Sequence, residues 1–254
     1  MPVEMIQTKR LFQQVFEQLA DLIAKGEFPL GQRLPAERDL ARQLGVSRAT
    51  VREAMIALEL SGLVEVRVGA GIFVVADRAP QPMRSKGDEL GLGPFELMEA
   101  RRLVECEIAF LAAQLIQDSD IEALEASLAL MAREHDEGFV SEDGDRGFHI
   151  AVARATRNNA LIKMVELLWE LRETSPMWAR LHQRVRAVQV RAASLDEHLQ
   201  IIEALRQRAP DLARRAMDAH LRRATDDLLR VSEAEFAGEV DEEERRRGQR
   251  AVAQ

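Results

Sequence analysis

Apolar positions recur at helical spacing along most of the chain, and only one short stretch alternates. In residues 9–25 (KRLFQQVFEQLADLIAK), Leu11, Val15, Leu19, Leu22 and Ile23 share one face of a predicted helix that Gly26 stops. Pro35 precedes AERDLARQL, a second predicted helix ending at Gly45, and Ser47 is suited to cap a third. Taken as a helix, residues 47–60 place Val51, Ala54, Met55 and Leu58 on one face, where they would pack against the first helix. Val64, Val66 and Val68 then alternate as a strand, Ile72–Val75 supplies its partner, and Gly69 and Gly71 fit the turn between them.

Beyond this the pattern changes twice. Residues 77–93 (DRAPQPMRSKGDELGLG) concentrate Pro, Gly and charge and read as a linker. From Pro94 to Phe236 the pattern is helical throughout, with breaks near Asp118, at 138–144, near Asn158, near Pro176 and at Pro210. The prediction is a mainly α protein. A domain at 9–76 carries a small β-wing, and an all-α bundle of six or seven helices occupies 94–236. The tail at 237–254 loses periodicity and is expected to be disordered.

Composition narrows the class. A chain of 254 residues with 46% hydrophobic residues supports two cores, and no apolar run approaches the ~20 residues that span a bilayer. The first twenty residues lack the apolar stretch of a signal peptide. The single cysteine, Cys106, excludes an internal disulfide and fits a reducing cytoplasm. The net charge of −8 is unevenly spread. Residues 1–78 hold ten basic and ten acidic side chains, and the excess acid lies beyond them. Any attraction to phosphate must therefore come from local clusters of arginine.

Such a cluster exists. The order helix, turn, helix and two short strands is that of a winged helix-turn-helix, which points to double-stranded DNA. Arg48 and Arg52 stand one turn apart near the start of the third helix, where a guanidinium can reach guanine O6 and N7. Ser47 and Thr50 can meet phosphate at a helix N-terminus. Arg38 and Arg42, spaced i, i+4 on the preceding helix, suit phosphate as well. The plainer alternative is a solvated face in which these arginines pair with Glu37, Asp39 and Glu53. The stretch LPAERDLARQLGVSRATVREAMIALELSGLVEVRVGAGIFV resembles the N-terminal domain of the GntR family of bacterial transcriptional regulators. The resemblance implies DNA contacts from Arg38, Arg48 and Arg52, with Gly69 at the wing tip near the minor groove. Ala49 stands where some relatives carry a hydroxyl, and Val68 offers the wing no hydrogen bond to DNA.

The helical part carries its own chemistry. His149 follows Asp145 by four residues and shares its face, and His198 and His220 also lie on apolar faces, whereas His135 and His182 are expected at the surface. One buried histidine is usually a satisfied core residue. Three, with a carboxylate, are costly to bury without a partner. A divalent cation would organise all four, imidazole and carboxylate suiting Zn, Ni, Mn or similar ions. Ser194 and Glu197 look like a capping box opening the helix that carries His198. Asn158 is expected to cap a helix, and Trp169 and Trp178 to pack in the core. Arg101 falls within the stripe Leu97, Val104, Ile108, Leu111 and Leu115, and so needs a carboxylate, either from Glu105 or from a ligand.

ARRLVECEIAFLAA, the D-x3-H of Asp145 and His149, and the histidines of DEHLQIIEAL and AMDAHL together are similar to the C-terminal FCD domain of the FadR subfamily. That resemblance implies a divalent ion on Asp145, His149, His198 and His220, zinc first, with nickel, manganese or cobalt as alternatives. It also implies an organic acid gripped by Arg101. The expected function is a ligand-responsive, cytoplasmic transcriptional regulator. By default it is a repressor, acting as a homodimer on a palindromic operator and released by a small carboxylate effector. A pure metal sensor and a metal-dependent enzyme are the rivals, the enzyme disfavoured because four protein ligands leave little room for an activated water.

Overall fold

A computed structural model of the chain describes residues 9–67, 70–78, 91–137, 142–185 and 189–237, the side chains of 182–193 and 231–237 excepted. The chain divides into two compact units, with the boundary between Phe95 and Glu96; the second unit runs Glu96–Leu228. Gly69, Val68, most of the expected linker, the side chain of His182 and the tail beyond Ala237 lie outside the described residues.

The first unit holds α1 (Leu11–Ala24), α2 (Glu37–Leu44), α3 (Arg48–Leu60), β1 (Val64–Arg67) and β2 (Gly71–Val74). Its core joins Val15, Leu19 and Ile23 of α1 to Leu40 of α2, to Val51, Ala54, Met55 and Leu58 of α3, and to Val64, Ile72 and Val74 of the wing. Leu11, expected inside, is half exposed, because Phe12 takes the inward position one residue on. The turn between α2 and α3 closes on Gly45, whose φ of 68° is left-handed backbone open to glycine without strain. Ser47 then caps α3, its hydroxyl accepting from the Thr50 N–H at 3.0 Å. The strands pair antiparallel with Val64 opposite Val74 and Val66 opposite Ile72, and the Leu34 N–H adds a bond to the Ile72 carbonyl at 2.8 Å. Glu53 of α3 is buried and accepts from the Phe95 N–H at 2.9 Å, so it does not belong to a solvated face.

From Pro94 the chain is helical: α4 (Pro94–Leu115), α5 (Asp118–Asp136), α6 (Asp143–Ala155), α7 (Asn159–Thr174), α8 (Pro176–Val185), α9 (Gln189–Arg206) and α10 (Pro210–Ala237). The breaks follow local chemistry. Asn158 caps α7 by accepting from the Ala160 N–H at 3.0 Å, and Pro176 and Pro210 each open a helix, where a missing N–H costs nothing. The expected capping box at Ser194 is absent: α9 already runs from Gln189, so Ser194 lies within it. The buried face of α4 is Leu97, Met98, Arg101, Glu105, Ile108, Ala109, Ala112 and Ala113; Leu111 and Leu115, expected on it, are 40% and 49% exposed. Gly144 in the first turn of α6 meets α5 so closely that a Cβ there would sit 2.5 Å from the Met131 nitrogen. That approach holds the start of α6, and with it Asp145, against α5. No helix among the described residues is long and apolar enough to cross a membrane.

Candidate functional site

On the outer side of the first unit, Arg38, Arg42, Ser47 and Arg48 are exposed and Thr50 is partly so. Arg42 pairs with Asp39. Arg52 is different. It is 1% exposed, and its Nη2 lies 2.7 Å from Glu37 Oε2, itself buried. The expectation that Arg52 stands at the surface beside Arg48 is therefore corrected. One turn along α3, the helix has rotated its side chain under α2, where Glu37 neutralises it.

In the second unit, α6, α9 and α10 bring Asp145, His149, His198 and His220 together, with one ligand atom from each within 4.8 Å of all the others. The three imidazoles are fully buried or nearly so. Each has its Nδ1 committed. That of His198 lies 2.7 Å from the Ser194 carbonyl oxygen, that of His220 2.9 Å from Glu197 Oε2, and that of His149 against the Glu105 carboxylate. A carbonyl or carboxylate only accepts, so the Nδ1 of His198 and that of His220 donate, and a ring so held carries its lone pair, in the neutral form, on Nε2. Asp145 Oδ1 is 3.0 Å from His198 Nε2 and 3.5 Å from His149 Nε2. Yet Oδ1 and both these Nε2 atoms are buried with no hydrogen-bond partner among the described residues. Four such atoms gathered in a buried site suit a cation, and the donor set, three nitrogens and one oxygen, suits a divalent transition ion. The residues present fit the group.

The electrostatics differ from ring to ring. Burial drives the His220 pKa down to about 4, leaving a neutral imidazole. Burial, the largest influence, also pulls His149 down, but Glu105 and Asp145 together outweigh it and the pKa is raised. Burial would push Glu105 and Asp145 up. Instead Arg101 and His149 bring Glu105 to about 2, and the neighbouring His149 and His198 hold Asp145 well below the carboxylate range. Both carboxylates stay ionised. Cys106 is buried, its thiol pushed up to about 12 chiefly by that burial, and takes no part.

Of the two partners open to it, Arg101 takes Glu105. Its Nε donates to Glu105 Oε1 at 2.7 Å, while its Nη2 is buried without a hydrogen-bond partner among the described residues. Sequence reasoning passed over Arg172 on α7, which is buried, pairs with Glu142 and approaches Asp145 Oδ2 at 3.9 Å. In LLWELRETS it looks like one more surface charge; only its spacing three after Trp169 hinted otherwise. The tryptophans are buried as expected, but they also carry these arginines. The Arg101 and Arg172 guanidinium carbons each lie 4.4 Å from the Trp169 ring centre, and that of Arg172 lies 4.3 Å from Trp178. Glu197, expected to cap a helix, instead orients His220 and pairs with Arg223. His135, expected at the surface, is partly buried.

Comparison with known proteins agrees with this division. Residues 11–74 match the model of the bacterial regulatory proteins of the gntR family, and residues 96–223 match the FCD domain. The chain is 40% identical to the Uxu operon transcriptional regulator of Escherichia coli (strain K12) over 228 residues, 88% of this chain and 89% of that protein. It is 38% identical to the Exu regulon transcriptional regulator of the same organism over 241 residues, 94% and 92% of the two chains. Among solved structures, Streptococcus agalactiae GntR aligns with 84% of this chain and 98% of its own, at 27% identity and a TM-score of 0.42. These relatives are transcriptional regulators rather than enzymes. The chain belongs to the GntR family of bacterial regulatory proteins: a DNA-binding transcriptional regulator with a winged helix-turn-helix followed by an FCD domain.

Proposed function

We propose that this regulator is a homodimeric repressor whose operator affinity is set by a small organic carboxylate bound at a divalent metal ion. Asp145, His149, His198 and His220 would hold the ion, zinc first, and the ion would supply a fixed positive charge for the acid. Arg101 would take a carboxylate oxygen through its open Nη2. The observation that carries this reading is the convergence of one ligand atom from each of Asp145, His149, His198 and His220 within 4.8 Å, with the Nδ1 of His198 and of His220 tied back to an acceptor. A cluster of satisfied core histidines would have no reason to leave those atoms facing one another.

The domains at 9–76 and 94–236 divide the labour in this proposal. Arg38, Arg42, Ser47, Arg48 and Thr50 would face DNA, with Gly69 at the wing tip, and Arg52 would hold the reading helix through Glu37. One head reads one half-site, so a palindromic operator calls for two chains. The names of the relatives, regulators of the Uxu operon and the Exu regulon, support control of a gene cluster by this chain too. An acid that binds two arrangements of the heads equally well would switch nothing, so its affinity must differ between them.

Metal analysis of the purified protein, calorimetry with organic acids and operator binding at fixed zinc test this together. The expected result is one zinc per chain, lost in His198→Ala together with the acid response. Arg101→Ala should keep zinc and operator binding but not respond to the acid. DNA release by zinc alone would instead make the ion the signal, and a zinc-free wild type that binds its acid as tightly would return the histidines to the core.

A further inference from the structure

Helix α4 starts in the interior. Gly93, Pro94 and Phe95 are all buried, and the first N–H groups of a helix have no partner within it. Pro94 removes one of these donors, and Gly93, in the capping position before it, has no side chain to accept from the next. The acceptor comes from another helix. Glu53 of α3, 3% exposed, accepts from the Phe95 N–H through Oε1 at 2.9 Å. The glycine is what admits it: a Cβ on Gly93 would sit 2.2 Å from Glu53 Oε1 and 2.4 Å from its Cδ. The helix dipole also favours a carboxylate at this end. Arg10, just ahead of α1, donates to the Gly91 carbonyl at 2.6 Å, so the chain entering α4 is held at two points. The first compact unit accordingly runs through Phe95 and takes in the first two residues of α4. The helix then continues unbroken to Leu115, with Arg101 and Glu105 about two and three turns along it.

Packing alone does not call for a carboxylate at position 53. Its neighbours along α3, Ala54, Met55, Ile56, Ala57 and Leu58, are buried and apolar, and an apolar side chain there would cost less to bury. Nor does Glu53 suit DNA, since it is buried and its charge would repel phosphate. We infer that Glu53 is a positioning residue for the reading helix: by capping α4 from α3, it makes the placement of α3 follow that of α4. The inference needs neither the ion nor the acid of the proposed function. Arg48 stands at the start of the same helix, five residues before Glu53, so a shift in the first turn of α4 carries Arg48 with it. Coupling of this kind is reciprocal: whatever fixes α3 must also fix the start of α4.

The test uses the full-length chain and a DNA duplex selected from random sequence for tight binding to it. Hydrogen exchange is followed by mass spectrometry in peptides covering residues 94–100, without the duplex and with it at saturation. In the wild type the duplex should slow exchange there about tenfold, the size of an ordinary coupling between sites. In Glu53→Ala, bound to the same duplex, it should change nothing. Gly93→Ala should behave like Glu53→Ala, because its Cβ displaces the carboxylate. That variant leaves every residue of α3 in place, and it decides the question if Glu53→Ala does not bind DNA. Glu53→Gln keeps an acceptor oxygen and should keep the protection linked to DNA. A cap that serves only the fold would lower the protection of 94–100 in the free variants without making it depend on DNA in the wild type. The proposal is overturned if the duplex leaves exchange at 94–100 unchanged in the wild type, or if it slows exchange equally in the wild type and in Gly93→Ala.

Discussion

Both units of this protein bury charge, and they do so to opposite ends. In the DNA-reading unit the buried guanidinium of Arg52 meets the buried carboxylate of Glu37 at 2.7 Å, and the exposed arginines Arg38, Arg42 and Arg48 stand on the outer side. In the FCD unit the charge faces inward: three imidazoles, Asp145, Glu105, Arg101 and Arg172 converge, several of their atoms facing no hydrogen-bond partner among the described residues. On the proposed function, the difference follows from the size of what is bound. A duplex can only be met at a surface, where an arginine loses little hydration until it docks. A small acid can be enclosed, and enclosure strengthens each contact by removing water, at the cost of holding unmatched polar atoms while the site is empty.

Mutations of comparable chemistry should therefore behave differently in the two units. The largest effect is expected from Arg52→Ala. Removing one partner of a buried pair costs about 3–5 kcal/mol, so the melting temperature of the first unit should fall and operator binding should be lost through unfolding. If Arg52→Ala stays folded and loses only sequence preference, Arg52 is a reading residue after all and the contrast within α3 collapses. Arg48→Ala comes next. It should leave circular dichroism and melting unchanged and cost roughly 1–3 kcal/mol of operator affinity per half-site, read by titration at one salt concentration. Wild-type affinity in that variant would remove Arg48 from the interface.

Within the FCD unit, Glu197→Ala sharpens the comparison by changing an orienting contact without touching a proposed ligand. His220 would lose the acceptor at its Nδ1, and zinc affinity should drop about 10–100-fold in a competition assay, with the fold intact. Unchanged zinc affinity would mean that His220 is positioned by packing alone. The smallest effect is expected from Arg42→Ala, an exposed side chain paired only with Asp39 in the described contacts. It should weaken specific and non-specific DNA about equally and lower the slope of log affinity against log salt by about one. A change in sequence preference would instead place Arg42 on a base.

Much of this was legible without coordinates, and the reason is that helical order is local. The helices end where Gly45, Asn158, Pro176 and Pro210 dictate, because caps and breakers act within a turn or two of themselves. Asp145, His149, His198 and His220 were legible for a related reason. A polar residue on an apolar stripe is visible from the 3.6-residue period alone, and the resemblance then joined the four. Leu11, Leu111 and Leu115 show the limit, since a stripe read at 100° per residue leaves the inward face uncertain by about one position.

What the amino-acid order determined by itself was the set of elements, the two-part organisation and which side chains were unusual for their faces. Only the tertiary structure decided who meets whom. It put Glu37 over Arg52, Glu105 and Glu197 behind His149 and His220, and Arg172 beside Arg101 on the ring of Trp169. Each of those meetings joins side chains on different helices. The rotation of one helix against another is set by how whole faces interlock, and no local period carries that information.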